Sequence, residues 1–287
     1  MAISLGILFG IIALISWGSA DAFTKKLTNK VGAYHSVLYR SLFSALILLF
    51  ASLYFTGTIF PSLNVFFLLL GISFIGYLAY VFYVKGIEAG NVSVISPIAH
   101  SSVIVTVLLS LFFFRESITL LQAIAMAVII TGVILISFKY SELKKSRKRI
   151  KGLGFALATL VGWGLLFFLW KLPLSYTSPF IAAFYIEALI FIFALISAIP
   201  LKKKLLAPKT DKITGILALF VGTVLAIGSL FYTLGINLEF VSLVAPIAAA
   251  SPFIAVIFSR IFLKEMLELN QKIAVAMIII GLIVIAL

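Results

Sequence analysis

Phe82–Phe138, FYVKGIEAGNVSVISPIAHSSVIVTVLLSLFFFRESITLLQAIAMAVIITGVILISF, lies without a gap over Phe231–Leu287, FYTLGINLEFVSLVAPIAAASPFIAVIFSRIFLKEMLELNQKIAVAMIIIGLIVIAL. The constant offset pairs Phe82-Tyr83 with Phe231-Tyr232, Gly86-Ile87 with Gly235-Ile236 and Val92-Ser93 with Val241-Ser242. It also pairs Pro97-Ile98-Ala99 with Pro246-Ile247-Ala248, Glu116 with Glu265, Gln122 with Gln271 and Gly132 with Gly281. About two positions in five are identical, which marks an internal duplication. Working outward, a slightly different offset pairs Gly6 with Gly152, Trp17-Gly18 with Trp163-Gly164, Lys25 with Lys171 and Tyr39 with Tyr185. The repeat therefore covers nearly the whole chain, as residues 1–138 and 152–287 joined by a basic linker, 139–151.

With 63% hydrophobic and 11% charged residues, the composition lies far from that of soluble domains, in which about a quarter of residues are charged. An all-α polytopic membrane protein is expected. A bilayer core about 30 Å thick needs about 20 apolar residues per helix. Segments of that length recur ten times, at about 3–24, 34–56, 64–84, 92–114, 120–138, 152–171, 179–199, 213–236, 241–263 and 270–287. Five spans per copy is an odd number, so the second copy must be inverted relative to the first. Duplicated apolar halves are an architecture of secondary transporters, with a site where the repeats meet.

The net charge of +13 is placed too regularly for nucleic-acid binding. Lys25, Lys26 and Lys30 lie between spans 1 and 2; Lys144, Lys145, Arg147, Lys148, Arg149 and Lys151 between 5 and 6; and Lys202, Lys203, Lys204, Lys209 and Lys212 between 7 and 8. Connections on the opposite face, 57–63, 172–178 and 237–240, hold no Lys or Arg, and Arg115 alone lies between spans 4 and 5. Positive residues stay inside, so the basic loops are expected in the cytoplasm of a multi-pass cell-membrane protein, with both termini outside. Contact of these runs with anionic headgroups is a secondary expectation. The first span carries an A-x-A-like Ala20-Asp21-Ala22. It lacks a basic leader, however, and its Trp-Gly element recurs in the interior, so it is expected to be retained.

The ordered combination of Trp17-Gly18, Arg40, Ala89–Pro97 with Arg115-Glu116, Trp163-Gly164, and Phe240–Pro246 with Lys264-Glu265 resembles the EamA-type branch of the drug/metabolite transporter superfamily over essentially the whole chain. The resemblance implies ten helices in two inverted five-helix repeats. It also implies a central cavity lined mainly by spans 1, 3, 4, 6, 8 and 9, with spans 5 and 10 used in packing. Relatives export amino acids and related metabolites or move nucleotide sugars and sugar phosphates.

Ionisable groups at bilayer depth usually face a cavity or the bundle interior. Glu187, about 12 Å into span 7, is a candidate for a substrate amine or a coupling proton, or else a structural carboxylate. His100 enters span 4 to a similar depth, either as a titrating or substrate-binding group or as a packed neutral ring. Arg40 would engage an anionic substrate group or pair with Asp21. Trp17, Trp163, Tyr39, Tyr80, Tyr83, Tyr185 and Tyr232 offer stacking and cation–π surface, or interfacial anchoring. Pro97 and Pro246 each free a carbonyl early in a helix, with Ser96, Ser101, Ser102 and Ser251 nearby to satisfy it or line a path. Pro252 adds a second kink, and Gly18 and Gly164 complete the expected gate positions. Gly132 and Gly281 are expected to permit close helix packing, with a homodimer through spans 5 and 10 open.

No catalytic constellation, cofactor or metal site is expected. There is no cysteine, only His35 and His100, no clustered carboxylates at depth and no P-loop. The sequence thus predicts a carrier, read as an exporter, of small metabolites such as amino acids, working by alternating access around a midplane cavity. A lipid or hydrophobic-drug carrier of the same fold is the alternative. Its expected partners are a small-molecule substrate, membrane lipids and, if transport is coupled, protons, but no nucleic acid; the chain acts as a monomer or a homodimer.

Overall fold

A 52-residue apolar helix would run about 78 Å if straight, more than twice the thickness of a bilayer core. The chain begins with an element of that length, α1 (Leu5–Thr56), opened by Ser4, whose hydroxyl accepts from the Ile7 amide. It does not stay straight. Gly32 takes φ 82° and ψ 163°, a conformation essentially confined to glycine, and nothing lies within 4 Å of where a Cβ would sit. Thr28 Oγ1 then donates to Ser36 Oγ over 3.0 Å, although residues eight apart in a straight helix are about 12 Å apart. The helix folds back on itself at a single residue. The loop expected between 24 and 34 is therefore helix on either side of Gly32.

In this computed structural model the described residues are 3–90, 92–138, 152–199, 211–262 and 267–286. The linker 139–151, the lysines at 202–204 and 209, and Lys264-Glu265 lie outside them. The remaining elements are α2 (Leu63–Ala89), α3 (Val92–His100), α4 (Ser102–Phe113), α5 (Leu120–Ser137), α6 (Leu153–Leu169), a 3₁₀ turn (Leu172–Ser175), α7 (Pro179–Ile196), α8 (Lys212–Leu238), α9 (Val241–Ala249), α10 (Ser251–Phe262) and α11 (Leu269–Ala286). Side chains start several of them: Thr119 and Gln122 form a reciprocal capping box for α5, Ser178 caps α7, and Asp211 caps α8. Among the described residues, eight segments are long and apolar enough to cross a membrane, and Leu269–Ile285 is a shorter apolar helix.

Two of the expected spans are broken, at equivalent places. Ser101 separates α3 from α4 with φ −67° and ψ −3°, and Ala250 separates α9 from α10 with φ −74° and ψ 5°. Each follows a helix-interior proline, Pro97 or Pro246, by four residues, and the backbone tightens towards 3₁₀ bonding there. Pro252 does not create the second break, since α3–α4 breaks in the same way with Val103 at that position. Pro252 sits in the first turn of α10, where a missing amide costs little.

The copies interlock through small residues. A Cβ on Gly18 would meet Ser251 O at 2.4 Å and Ile254 Cβ at 2.5 Å; one on Gly164 would meet Val105 Cβ at 2.5 Å and Ser102 O at 3.0 Å. The repeat offset equates Ser102 with Ser251 and Val105 with Ile254, so each Trp-Gly helix packs on the other copy's broken helix. Gly132 against Ile278 and Gly281 against Ile129 do the same for α5 and α11. These two helices pack on each other within one chain, and their glycine faces are occupied there. Gly18 and Gly164, read from the sequence as gate positions, are tightly packed helical residues.

Candidate functional site

Trp17, Asp21, Arg40 and Ser41 of α1 project from one wall of a central cavity of about 220 Å³. Trp17 and Asp21 are one helical turn apart and so share a face. α6 supplies Trp163, Leu166, Phe167 and Trp170 from the opposite copy, again at helical spacing. α2 adds Gly76 and Tyr80; α3, His100; α4, Ser102, Val103 and Thr106; α7, Glu187 and Ile190; α8, Leu225, Ser229 and Tyr232. The α9–α10 break contributes Ala248, Ala249 and Ser251. Many of these are repeat counterparts, including Trp17 with Trp163, Asp21 with Phe167, Ser41 with Glu187, His100 with Ala249 and Ser102 with Ser251. Spans 2 and 7 also line the cavity, beyond the six expected. All three tryptophans of the chain face it.

Seven of the sequence-derived candidates meet here: Glu187, His100, Arg40, Trp17, Trp163, Tyr80 and Tyr232. Glu187 is 6% exposed and accepts a 2.5 Å bond from the Ser229 hydroxyl. Arg40 holds its guanidinium 5.4 Å from the Tyr80 ring centre, and its Nε is buried without a hydrogen-bond partner. The expected Arg40–Asp21 pairing is not an ion pair: both line the cavity and interact through space, but no hydrogen bond or salt bridge joins them. His100 Nδ1 lies 2.8 Å from the Ser96 carbonyl, which can only accept, so Nδ1 carries the proton. Ser96 Oγ is 3.2 Å from the same nitrogen.

Other candidates lie elsewhere. Tyr83 stands behind the wall, 5.0 Å from the Trp163 ring and 6.3 Å from His100. Tyr39 packs with Leu27, Val31 and Ala218 in a separate cluster, and Tyr185 against Phe66 at 5.8 Å. Both were expected at the site and do not line it, because their helices turn that face towards neighbouring helices. Ser101 is spent on its own break, donating to the Pro97 carbonyl over 2.8 Å.

Asp21, named from the sequence only as a partner for Arg40, and Phe167, Trp170, Thr106 and Ser229, not singled out there, line the cavity. The signal for the first three was present: Asp21 follows Trp17 by four residues, and Phe167 and Trp170 follow Trp163 by four and seven. Thr106 donates to the Gly164 carbonyl over 3.1 Å, fastening α4 to α6.

One end of the cavity is tied by polar contacts, those of Glu116 across the copies and the others within the second copy. The carboxylate of Glu116, next to Arg115 at φ 52°, accepts from the amides of Val241 and Ser242 at 2.8 Å each, capping α9. Lys171 donates to the carbonyls of Ile236 and Glu239 at the end of α8. Trp170 Nε1 donates to Thr233 over 3.0 Å, and the Tyr232 hydroxyl to the Phe167 carbonyl over 3.1 Å. Among the described residues, no group of three or more His, Cys, Asp or Glu side chains could hold a metal.

The sequence profile described as the EamA-like transporter family matches residues 4–138 and again 150–287. No curated protein matches the chain. A solved structure, described only as the crystal structure of a protein, superposes with a TM-score of 0.77 at 17% identity, over 97% of this chain and 96% of its own. That similarity is one of fold.

Proposed function

This chain belongs to the EamA-like transporter family and is a multi-pass membrane protein; from that premise we propose that it is a secondary carrier, read as an exporter, of small metabolites such as amino acids. The observation that carries this reading is a cavity walled by corresponding residues of both copies. Counting α1 as two spans about Gly32, and α3–α4 and α9–α10 as one broken span each, gives ten, five per copy. An odd number inverts the second copy. Two inverted units meeting at a midplane cavity can rock so that the cavity opens to each face in turn. Glu116 and Lys171 then hold the end away from the basic loops, and those loops face the cytoplasm.

The test is counterflow by purified protein in liposomes, screened with amino acids, nucleosides and sugar phosphates at two pH values. Saturable counterflow of a member of the panel supports the carrier. Flux that neither saturates nor responds to solute on the opposite side indicates a pore, and activity confined to lipids or hydrophobic drugs selects the alternative of the same fold.

A further inference from the structure

α1 approaches α8 closely at three glycines of α8, and the three approaches are not alike. A Cβ on Gly235 would meet Gly6 O at 3.2 Å, and one on Gly222 would meet Phe43 Cβ at 2.4 Å and Arg40 O at 2.9 Å, so at both places α8 lies against the body of α1. At Gly228 the neighbour is an indole. A Cβ there would stand 2.3 Å from Trp17 Cδ1, 2.5 Å from Nε1 and 3.0 Å from Cγ. Trp17 lines the cavity, and its pyrrole edge rests on the α8 backbone. Nε1 is buried there without a hydrogen-bond partner, so shape rather than a polar contact seats the ring.

The indole is bracketed by two other rings. Tyr232, one turn after Gly228 on the same face of α8, has its ring 5.2 Å from that of Trp17, and Phe167 has its ring at 5.6 Å. The Tyr232 hydroxyl donates to the Phe167 carbonyl over 3.1 Å and ties one bracket to the other. Nor can α1 back away as a whole, because Gly18 already lies on α10, with Ser251 O 2.4 Å from its Cβ position. A methyl group at 228 would require the ring to withdraw by about 1 Å to reach ordinary carbon contact of about 3.5 Å. The open direction is the cavity.

This seat is not duplicated. The repeat offset equates Gly228 with Ala79 and Trp17 with Trp163. In the other copy the close approach to Ala79 is made by Gly162, whose Cβ position is 2.7 Å from Ala79 Cβ, and not by an indole.

We propose that Gly228 determines specificity by size: it lets Trp17 recess into α8, and so sets the width of the cavity and the bulk of the solutes it admits. This rests on the carrier reading and adds a size limit to it. In a cavity of about 220 Å³, the advance of a whole indole face removes room that close-packed walls do not give back.

The chain has no cysteine, so Ala249→Cys, on the half-buried cavity wall, introduces a single thiol. Its rates of modification by methyl and by benzyl methanethiosulfonate report width without any substrate. In Gly228→Ala the benzyl-to-methyl rate ratio is expected to fall at least about tenfold, and adding Trp17→Phe should restore it, because the smaller ring clears the methyl group. Trp17→Phe alone should raise the ratio, which keeps the width readable should Gly228→Ala not fold. In counterflow, Gly228→Ala should raise KM for the bulkiest accepted member of the metabolite panel and spare the smallest. An unchanged ratio in either single variant, a fall that Trp17→Phe does not reverse, or an equal rise in KM for small and bulky solutes overturns the proposal and leaves the carrier standing. Ratios that shift as expected in protein that counterflows no member of the panel keep Gly228 as the determinant of width and remove the carrier reading.

Discussion

The two copies break their fourth span at the same position and present the same Trp-Gly pair, yet their cavity-facing charges are not duplicated. Asp21 stands where the second copy has Phe167, Arg40 where it has Ile186, and His100 where it has Ala249; Glu187 stands where the first copy has Ser41. Positions kept in both copies hold helices together, as Gly18 and Gly164 do against the opposite broken helix. Positions that differ carry the charge. Duplication thus supplies the scaffold, and divergence the chemistry.

The largest effect is expected at the duplicated positions. Gly18→Val and Gly164→Val drive a branched side chain into backbone and Cβ atoms at 2.4–3.0 Å, contacts that cannot be relieved by turning a flexible side chain. Each should cost about 3 kcal/mol or more and abolish the folded carrier, as followed by thermal unfolding in detergent. Gly71→Ala, with nothing within 4 Å, serves as the control and should leave the transition unchanged or slightly raised. If one Trp-Gly glycine accepts valine and its counterpart does not, the scaffold is not duplicated in its energetics.

Next comes an unduplicated position. Glu187→Gln should leave unfolding close to wild type, because the amide can still accept from Ser229, but should abolish pH-driven uptake while preserving counterflow. Parallel loss of both activities would make Glu187 a substrate ligand. Wild-type behaviour in both assays would leave it a structural carboxylate.

A smaller change is expected at Glu116, which is duplicated as Glu265. Glu116→Ala removes the acceptor for two amides of α9 and should lower stability by about 1–2 kcal/mol. A null result would mean that the cap is supplied by water.

The smallest concerns the exposed Lys30–Asp211 pair, 3.5 Å apart, which joins α1 to the start of α8. The Thr214 hydroxyl and amide, and then Lys30, hold the Asp211 carboxyl below the usual carboxylate range. A depressed folded-state value gives stability that is present above the unfolded value of about 3.9 and lost as pH falls through the folded one. Unfolding temperatures of wild type and Lys30→Gln should therefore coincide from pH 8 to pH 5, since exposed pairs contribute little. A clear difference near neutrality would show that the pair does more than decorate the surface.

Much of this was legible in the chain. Apolar length and the offset repeat located the helices, because a bilayer forces every backbone group into internal hydrogen bonds and so makes helix length readable. Seven cavity side chains followed from their cost at depth or their recurrence. Tyr39 and Tyr185 were misplaced because recurrence marks packing as readily as function. Asp21 was passed over as Arg40's partner, since its place near the end of an apolar segment suggested an interface.

The sequence by itself determined an all-helical, duplicated membrane-transporter scaffold, because hydrophobic length and repetition are one-dimensional properties. Tertiary structure alone decided that α1 turns at Gly32 without a loop, that the glycines interlock the copies, and that Asp21 joins Glu187 on the cavity wall. Each depends on which face of one helix meets another 100 or more residues away, or on a backbone angle only glycine can hold, and neither is written in the order of residues along a single span.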